Sequence, residues 1–341
     1  MPTEVNLSPK AKAKICRMAS DHSFDVAAWH LNLDWGTKYD GKQIQLWSEK
    51  CGELLVQERR QELANFAIGQ MPSCKAGETQ LLVIGMDGGR VQTTSKNSET
   101  GSRWKENKVL TITSYIKGDG DENPPEKLLT TTNATMDDAH AFSPLIRYEA
   151  EKRGIRNAQQ VLGIHDGGPW IDTIWDERFA CHKRILDYYH ADEHLHDVAK
   201  AAQSGNEALQ TQLADELVEL LWNGKTESLL DKLHKLSVAA GQPADNDPDS
   251  SPKKILARNV GYFEKHKDEI DYPTYRKNGW PIGSGVTESG VKRFGKRVKG
   301  TEQFWNITGA EAIMALRAKM LSEDEESQHY WLGYPSQKTA A

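Results

Sequence analysis

The hydrophobic positions of the chain change their period along its length. In the first 75 residues they follow a helical period. "DVAAWHLNL" is interrupted by "DWG", and Ile44, Trp47, Cys51 and Leu54 recur at helical spacing in the next segment. A helix, a short glycine-containing turn and a second helix are typical of a helix-turn-helix, but equally of an ordinary antiparallel helix pair. The spacing alone favours neither.

From residue 80 the apolar residues form short continuous runs, as in strands that are buried on both faces. "LLVIGMDGG" and "QQVLGIHDGG" each join such a run to Asp-Gly-Gly, and "VLTITSY" and "RILDYY" are two further β-rich stretches. A helical pattern covers residues 136–154. Strands that are first adjacent and then alternate with helices predict an α/β fold with a mixed sheet and flanking helices.

Residues 191–275 return to the helical period. "NEALQTQLADELVELLWNG" and "TESLLDKLHKLSVAAG" carry leucines three or four positions apart. We predict a helical insertion here, between a first part of the sheet domain and a last part in which Thr308 and Glu311 form a capping box. An acidic tail is expected to be loosely attached. The predicted segments are 1–75 (helical), 76–190 (first part of the sheet domain), 191–275 (insertion), 276–322 (last part) and 323–341 (tail).

Composition narrows the classes of function. The 341 residues, 38% of them hydrophobic, can bury a large core. No apolar run reaches 18 residues and the first residues lack the apolar core of a secretory signal, so we expect no membrane span and a cytoplasmic location. The four cysteines form no CxxC pair, which fits reduced thiols rather than a zinc ribbon. The net charge of −6 argues against nucleic acid unless basic residues cluster locally.

Three acids stand out by position. Asp87 and Asp166 are each expected at the end of an apolar strand, and Glu288 in the first turn of a late helix. Ligands gather beyond the carboxyl ends of parallel strands, and three carboxylates brought together there repel one another unless cations lie between them. Oxygen ligands suit Mg²⁺ or Mn²⁺. Alternatively, Asp-Gly-Gly is a common turn signal, and a lone glutamate is favoured by the helix dipole.

A basic run follows Glu288 in "GWPIGSGVTESGVKRFGKRVKG". Its residues recur at one-, three- and four-residue steps, so the first four share one broad helix face with the glutamate one turn before them. This face is either a solvated charged surface or a binding surface for DNA phosphates. The run consists of Lys292, Arg293, Lys296, Arg297 and Lys299.

Several blocks together resemble a known family. "VIGMDGGRV", "GIHDGGPWI", "RILDYYHADEHL" and "GWPIGSGVTESGVKRFGKRVKG…FWNITGAEAIMALRA" resemble, in order, the blocks of bacterial insertion-sequence transposases of the Kra type, over residues from about 24 to 322. These are DDE enzymes with a ribonuclease-H-like core, distantly similar to Mutator-like transposases. The resemblance implies such a core, an upstream helix-turn-helix and a helical insertion before the third acid. It assigns the three catalytic, metal-binding acids to Asp87, Asp166 and Glu288, and DNA binding to the basic run.

The resemblance also implies an activity. A Mg²⁺- or Mn²⁺-dependent DDE transposase cleaves one strand at the element end and transfers the freed 3′-hydroxyl to target DNA, acting as a homo-oligomer on the DNA. Two alternatives stay open: a transposase-derived DNA-binding regulator without catalysis, and a ribonuclease-H-like nuclease. Family proteins usually extend further at the N-terminus, so a shortened derivative is also an open alternative.

Three more residues are candidates for supporting the metal site. His165 directly precedes Asp166, although it could equally be the polar end of a strand. Asp187 and His190 form an Asp-x-x-His pattern that resembles a feature of Mutator-like transposases. The rival reading of "HADEHLH" is a zinc site, but no cysteine lies nearby to complete it.

Overall fold

The computed structural model describes residues 7–74, 77–98, 100–300 and 303–332. A five-stranded sheet has the strand order β3-β2-β1-β4-β5. β4 and β5 pair in parallel, with Leu162 opposite Lys183. β1, β2 and β3 are consecutive neighbours joined by loops too short for a crossover, so they are antiparallel and the sheet is mixed. The strands are β1 (Thr79–Gln92), β2 (Trp104–Ile116), β3 (Glu126–Thr135), β4 (Ala158–His165) and β5 (Lys183–Leu186).

Thirteen α-helices lie in the described residues, and the α/β class predicted from the sequence is confirmed. The sheet is consistent with a ribonuclease-H-like core. None of the helices in the described ranges is long and apolar enough to cross a membrane. The helices are α1 (Pro9–Asp21), α2 (Phe24–Trp35), α3 (Gly41–Ala67), α4 (Ala139–Lys152), α5 (Pro169–Arg178), α6 (Tyr188–Ala202), α7 (Glu207–Trp222), α8 (Thr226–Ala240), α9 (Pro252–Lys265), α10 (Tyr272–Lys277), α11 (Gly285–Val298), α12 (Ile307–Leu321) and α13 (Glu325–Leu332).

The chain divides into two compact units. Unit 1 takes Met1–Ser114, Lys127–Val161 and Gly285–Ala341, and unit 2 takes Tyr115–Glu126 and Leu162–Ser284. Each unit is therefore built from segments that are distant in the sequence.

In unit 1 the end of α1 is completed by arginines from two late helices. The last carbonyl groups of a helix have no partner within it. Arg297 of α11 donates from Nε to the carbonyl oxygen of Ala19 at 2.7 Å, and Arg317 of α12 donates from Nη1 to that of Ser20 at 2.7 Å. Arg317 also pairs with Asp21 at 2.7 Å. These hydrogen bonds therefore fix the end of α1 to α11 and α12.

A buried ion pair joins α3 to α12 in the same unit. Glu311 accepts hydrogen bonds from Arg59, from the hydroxyl of Thr135 at 2.8 Å and from the backbone N–H of Met136 at 2.6 Å. Arg59 also donates to the carbonyl oxygen of Ala134 at 3.1 Å. Both charges are therefore fully engaged away from water.

This pairing overturns the capping box expected at the start of α12. The helix begins at Ile307, one residue before Thr308, so Asn306 is its N-cap and accepts the N–H of Gly309 at 2.6 Å. Glu311 does not return to the helix start, because its carboxylate is turned inward.

The expectation that β1 ends at Asp87 is wrong, because the strand runs on to Gln92. Neither Gly88 nor Gly89 has a positive φ, as a turn of this kind would require. A β-carbon on Gly88 would lie 2.5 Å from Oε1 of Glu106, and one on Gly89 would lie 2.6 Å from Oδ1 of Asn107. The two glycines therefore make room for the side chains of β2.

Residues 191–275 are helical, and no strand crosses this fully described stretch. Most of the leucines predicted from their spacing are buried, among them Leu217 of α7 and Leu233 of α8, whereas Leu209 at the start of α7 is exposed. The second segment of unit 2 begins earlier than the predicted insertion, at Leu162 in β4. The five segment boundaries of the sequence analysis stay predictions.

α2 and α3 are consecutive helices, separated by residues 36–40. Gly36 ends α2 with a φ of 65°, which is the left-handed conformation that favours glycine. The glycine turn expected between two helices is present. A helix-turn-helix that binds DNA stays a prediction.

The acidic tail is attached at its beginning, contrary to expectation. Glu323 and Glu326 pair with lysines of β3 and α12, so these acids are not a solvated run. Tyr330 and Trp331 of α13 pack against the core of unit 1. Residues 333–341 lie outside the described residues.

Candidate functional site

Asp166 directly follows β4, as the sequence predicts, and begins a tight turn in unit 2. Gly167 has a φ of 87°, and a β-carbon there would lie 2.6 Å from the ring of Tyr262, so this position requires glycine. Oδ1 of Asp166 accepts the N–H of Gly168 at 3.0 Å. The carbonyl oxygen of Asp166 accepts the hydroxyl of Tyr262 at 2.9 Å. The half-buried aspartate is therefore held at its side chain and at its backbone.

His165 is buried under this turn, and both of its ring nitrogens are engaged. Nδ1 lies 3.1 Å from the backbone nitrogen of Gly167, and Nε2 lies 3.0 Å from Oε2 of Glu269. A backbone N–H can only donate, so Nδ1 must be the unprotonated nitrogen. The neutral ring then carries its proton on Nε2 and donates it to Glu269. His165 is thus part of a network and not merely the polar end of a strand.

Glu269 is held by three donors. Its Oε2 accepts from His165 and from Nδ1 of His266 at 2.7 Å, and its Oε1 accepts from Nε of Arg184 at 2.6 Å. Burial alone would raise the pKa of Glu269, but the hydrogen bonds from the two histidines outweigh it and hold the pKa well below its usual value. The stability that this ionised carboxylate contributes is present above about pH 4.3, its unfolded-state pKa, and is lost only as the pH falls toward the lowered value.

The same three side chains could hold a metal ion. One nitrogen of His165, one of His266 and one carboxylate oxygen of Glu269 lie within 4.8 Å of one another, and all three residues are buried. Histidine and glutamate are common ligands of zinc. However, a metal on Nε2 of His165 would move the ring proton to Nδ1, where it would oppose the N–H of Gly167. The observed hydrogen bonds therefore disfavour a metal at this nitrogen.

Sequence reasoning missed His266 and Glu269. They lie at the end of α9 and in the following 3-10 turn (Lys267–Glu269), inside the charged stretch "YFEKHKDEID". The signal that could have found them is the His-x-x-Glu spacing, which is typical of two side chains on one helical face. Nothing in the sequence links this pair to His165, 104 residues before Glu269.

In unit 1, the first turn of α11 lies against β1 at Gly85, two residues before Asp87. A β-carbon on Gly85 would collide with the side chain of Thr287, so only glycine allows this approach. The hydroxyls of Thr287 and Thr111 are 2.8 Å apart. Gly85 and Asp87 share one face of β1, as strand residues i and i+2 do, and Glu288 follows Thr287 directly. α11 therefore brings Glu288 to the strand region that carries Asp87.

Asp166 belongs to unit 2, and its distance from the other two acids stays a prediction. The prediction needs β1 and β4 to be parallel neighbours, and the two strands are neighbours in the strand order. The clustering of all three carboxylates is therefore taken up below as a proposal.

The basic run lies on α11 and just beyond it. Glu288 and Lys292 form an ion pair at 3.2 Å, with 45% and 77% of their side chains exposed. Arg293, Lys296 and Lys299 are exposed as well. Four cations thus form an exposed basic surface, which we define as Lys292, Arg293, Lys296 and Lys299.

The expectation that Arg297 shares this surface is wrong. Its side chain is buried, lies over the rings of Phe24 and Trp305 and donates to Ala19. Burial lowers the pKa of Arg297 to about 10. The reason is the helical period, because Arg297 follows the buried Phe294 by three positions and faces the core with it.

Asp187 is fully buried and caps α6. Its Oδ1 accepts the N–H of His190 at 2.9 Å, and its Oδ2 accepts the N–H of Ser284. Asp187 therefore joins the start of α6 to the segment that precedes α11. The predicted role of Asp187 in supporting the metal site stays a prediction.

His190 is half-exposed, with Nδ1 3.5 Å from a carboxylate oxygen of Glu193. His194 is bonded to Asn259 at 2.6 Å and stacks on Tyr262. Among the described residues, the histidines of this stretch belong to no group of three His, Cys, Asp or Glu side chains close enough to share one metal ion. The rival zinc site on "HADEHLH" is therefore not supported.

No protein-family model and no curated protein matches this chain. Comparison with solved structures gives a neighbour over nearly the whole length. The chain is similar to the Drosophila P element transposase strand transfer complex. The TM-score is 0.38 at 11% sequence identity, covering 95% of this chain and 94% of that one. A TM-score below 0.5 does not identify a shared site or activity.

Proposed function

We propose that the chain is an insertion-sequence DDE transposase, resembling the Kra type, in which Asp87, Asp166 and Glu288 hold two Mg²⁺ or Mn²⁺ ions. The observation that carries the proposal is the packing of α11 on β1, which brings Glu288 to the strand region of Asp87. The adjacency of β1 and β4 in the strand order supports Asp166 as the third ligand.

The donors fit these ions chemically. All three are carboxylates, the ligands that hard divalent cations prefer. When bound, two such ions activate water and stabilise the attacking and leaving oxygens of an in-line displacement at phosphorus. The residues of this chain would hold the ions in fixed positions. The hydrogen bonds that fix the side chain and the backbone of Asp166 support that role. The two reactions are strand cleavage by water and attack of the freed 3′-hydroxyl on target DNA.

The exposed basic surface is the proposed contact with the DNA backbone. Its four cations lie beside Glu288, so bound phosphates would lie near the metal ligands. Phosphate contacts fix the position of DNA without reading its sequence. A chain with a net charge of −6 needs such a local concentration of cations to hold a polyanion.

The test is a cleavage assay on supercoiled plasmid that carries the DNA flanking the gene. We expect Mg²⁺-dependent nicks at inverted repeats, followed by joined products, and complete loss of both on chelation of the metal. DNA binding without any cleavage would favour the regulator. Cleavage without preference for the element ends, and without joined products, would favour the nuclease.

The basic surface yields a prediction of its own. Lys292→Ala combined with Lys296→Ala should weaken binding to all DNA sequences alike and flatten the plot of log K against log salt by about two units, because two phosphate contacts are lost. Filter binding at several salt concentrations measures this slope. The matched control is Lys200→Ala with Lys235→Ala, two exposed lysines whose loss changes the net charge equally. An equal change in both double variants would mean that α11 does not contact DNA.

A further inference from the structure

We infer that His165 is a positioning residue for Asp166, acting through its unprotonated Nδ1 on the peptide bond that follows Asp166. The inference rests on the proposed function, since it concerns one of the proposed metal ligands. It assigns to His165 a part that neither a core histidine nor a metal ligand would have.

One peptide unit is held by two hydrogen bonds, one from Tyr262 and one to His165, and we call this arrangement the clamp. The carbonyl oxygen of Asp166 and the N–H of Gly167 belong to the same peptide unit. Tyr262 donates to the oxygen at 2.9 Å, and His165 accepts from the nitrogen at 3.1 Å. A peptide unit is planar, so two hydrogen bonds to its polar groups fix its orientation. The direction of the Asp166 side chain from the backbone is thereby restricted.

The clamp depends on which ring nitrogen carries the proton. Glu269 is ionised and accepts hydrogen bonds from Arg184 and His266, so toward His165 it can act only as a hydrogen-bond acceptor. It therefore keeps the proton of His165 on Nε2 and leaves Nδ1 unprotonated for Gly167. The hydrogen bond to Glu269 thus selects the tautomer of His165 that is protonated on Nε2, and this tautomer can accept the N–H of Gly167 in the turn.

Two substitutions at this position separate the clamp from simple packing. In His165→Asn the side-chain amide oxygen takes the place of Nδ1 and can accept from Gly167, but the side chain does not reach Glu269. In His165→Gln the amide group reaches the place of Nε2 and can bond to Glu269, but nothing accepts from Gly167. If His165 acts by packing or by binding Glu269, the glutamine variant should behave more like the wild type. If His165 acts through the clamp, the asparagine variant should.

We expect His165→Gln to raise the Mn²⁺ concentration for half-maximal binding about tenfold, as is usual when the partner of a metal ligand is lost. His165→Asn should stay within about threefold of the wild type, because the Gly167 bond is retained. Binding is measured on the full chain from the electron paramagnetic resonance signal of free Mn²⁺. Tyr262→Phe, which keeps the ring and removes only the hydroxyl, should weaken binding in the same direction.

A second measurement is independent of the metal. Amide hydrogen exchange at Gly167 should be slow in the wild type and in His165→Asn, and about tenfold faster in His165→Gln. Equal exchange in the two variants, or faster exchange in the asparagine variant, would overturn the inference. If the wild type binds no Mn²⁺ and cleaves no DNA, the proposed function fails, while the exchange data still decide whether the clamp exists.

Discussion

Asp166→Asn and Glu288→Gln should each abolish DNA strand cleavage while leaving DNA binding within about twofold. An amide keeps the shape of the carboxylate but carries no charge to hold a divalent cation. Metal ions supply several kcal/mol of transition-state stabilisation, so a loss of about 10³-fold or more in the cleavage rate is expected. Binding rests on the exposed basic surface, which neither substitution removes. Single-turnover cleavage at saturating DNA measures the effect.

The control is Asp231→Asn, which makes the same change of charge at an aspartate that is 63% exposed on α8. It should cleave at the wild-type rate. Asp87→Asn should match the other two carboxylate variants, because one missing ligand suffices to empty a shared site. If Glu288→Gln cleaved like the wild type, α11 would carry only the DNA contact, and the third ligand would have to be another acid.

Removing the carboxylate of Glu311 should destabilise the protein by about 3–5 kcal/mol, because the charge of Arg59 would then be buried without a counter-ion. The Arg59 and Glu311 side chains are 9% and 7% exposed, and Glu311 also holds the N–H of Met136. Urea unfolding of Glu311→Ala, followed by circular dichroism, measures the loss. DNA binding by folded protein should be unchanged.

A double-mutant cycle isolates the pair. Arg59→Met with Glu311→Ala should recover part of the loss, because no charge is then left unpaired. The exposed pair of Asp231 and Lys235 serves as the reference, and breaking it should cost no more than about 0.5 kcal/mol. A loss below about 1 kcal/mol for Glu311→Ala would show that water reaches Arg59 in the folded state.

Periodicity was sufficient for most elements of this fold, because burial of one face leaves a direct trace in the sequence. The leucines of α7 and α8 are an example, and so is the apolar run of β4 that ends at His165. The same reasoning failed at Asp87. Two consecutive glycines are typical either of a turn or of a strand that a neighbouring side chain approaches closely. The second case applies here, because the side chains of Glu106 and Asn107 on β2 lie against Gly88 and Gly89.

The candidate site was predicted less completely than the fold. The positions of Asp166 and Glu288 follow from local signals, a strand end and a helix start. The burial of Arg297 also had a local signal, its three-residue spacing from Phe294, but the ring of Phe24 over which it lies belongs to a distant part of the chain. The network of His165, Glu269 and His266 likewise joins residues that are about a hundred positions apart, and no local pattern marks such a meeting.

The arginines that complete α1 have a consequence for the synthesis of the protein. Arg297 and Arg317 follow their carbonyl partners by 278 and 297 residues. At translation rates of 5–20 residues per second, they leave the ribosome about 15 to 60 s after α1. During that time the apolar side chains that α1, α2 and α3 bury together lack the late helices that stabilise them. Unit 1 can therefore close only after α12 has left the ribosome, and until then the apolar surface of α1, α2 and α3 is open to chaperones that shield such surface.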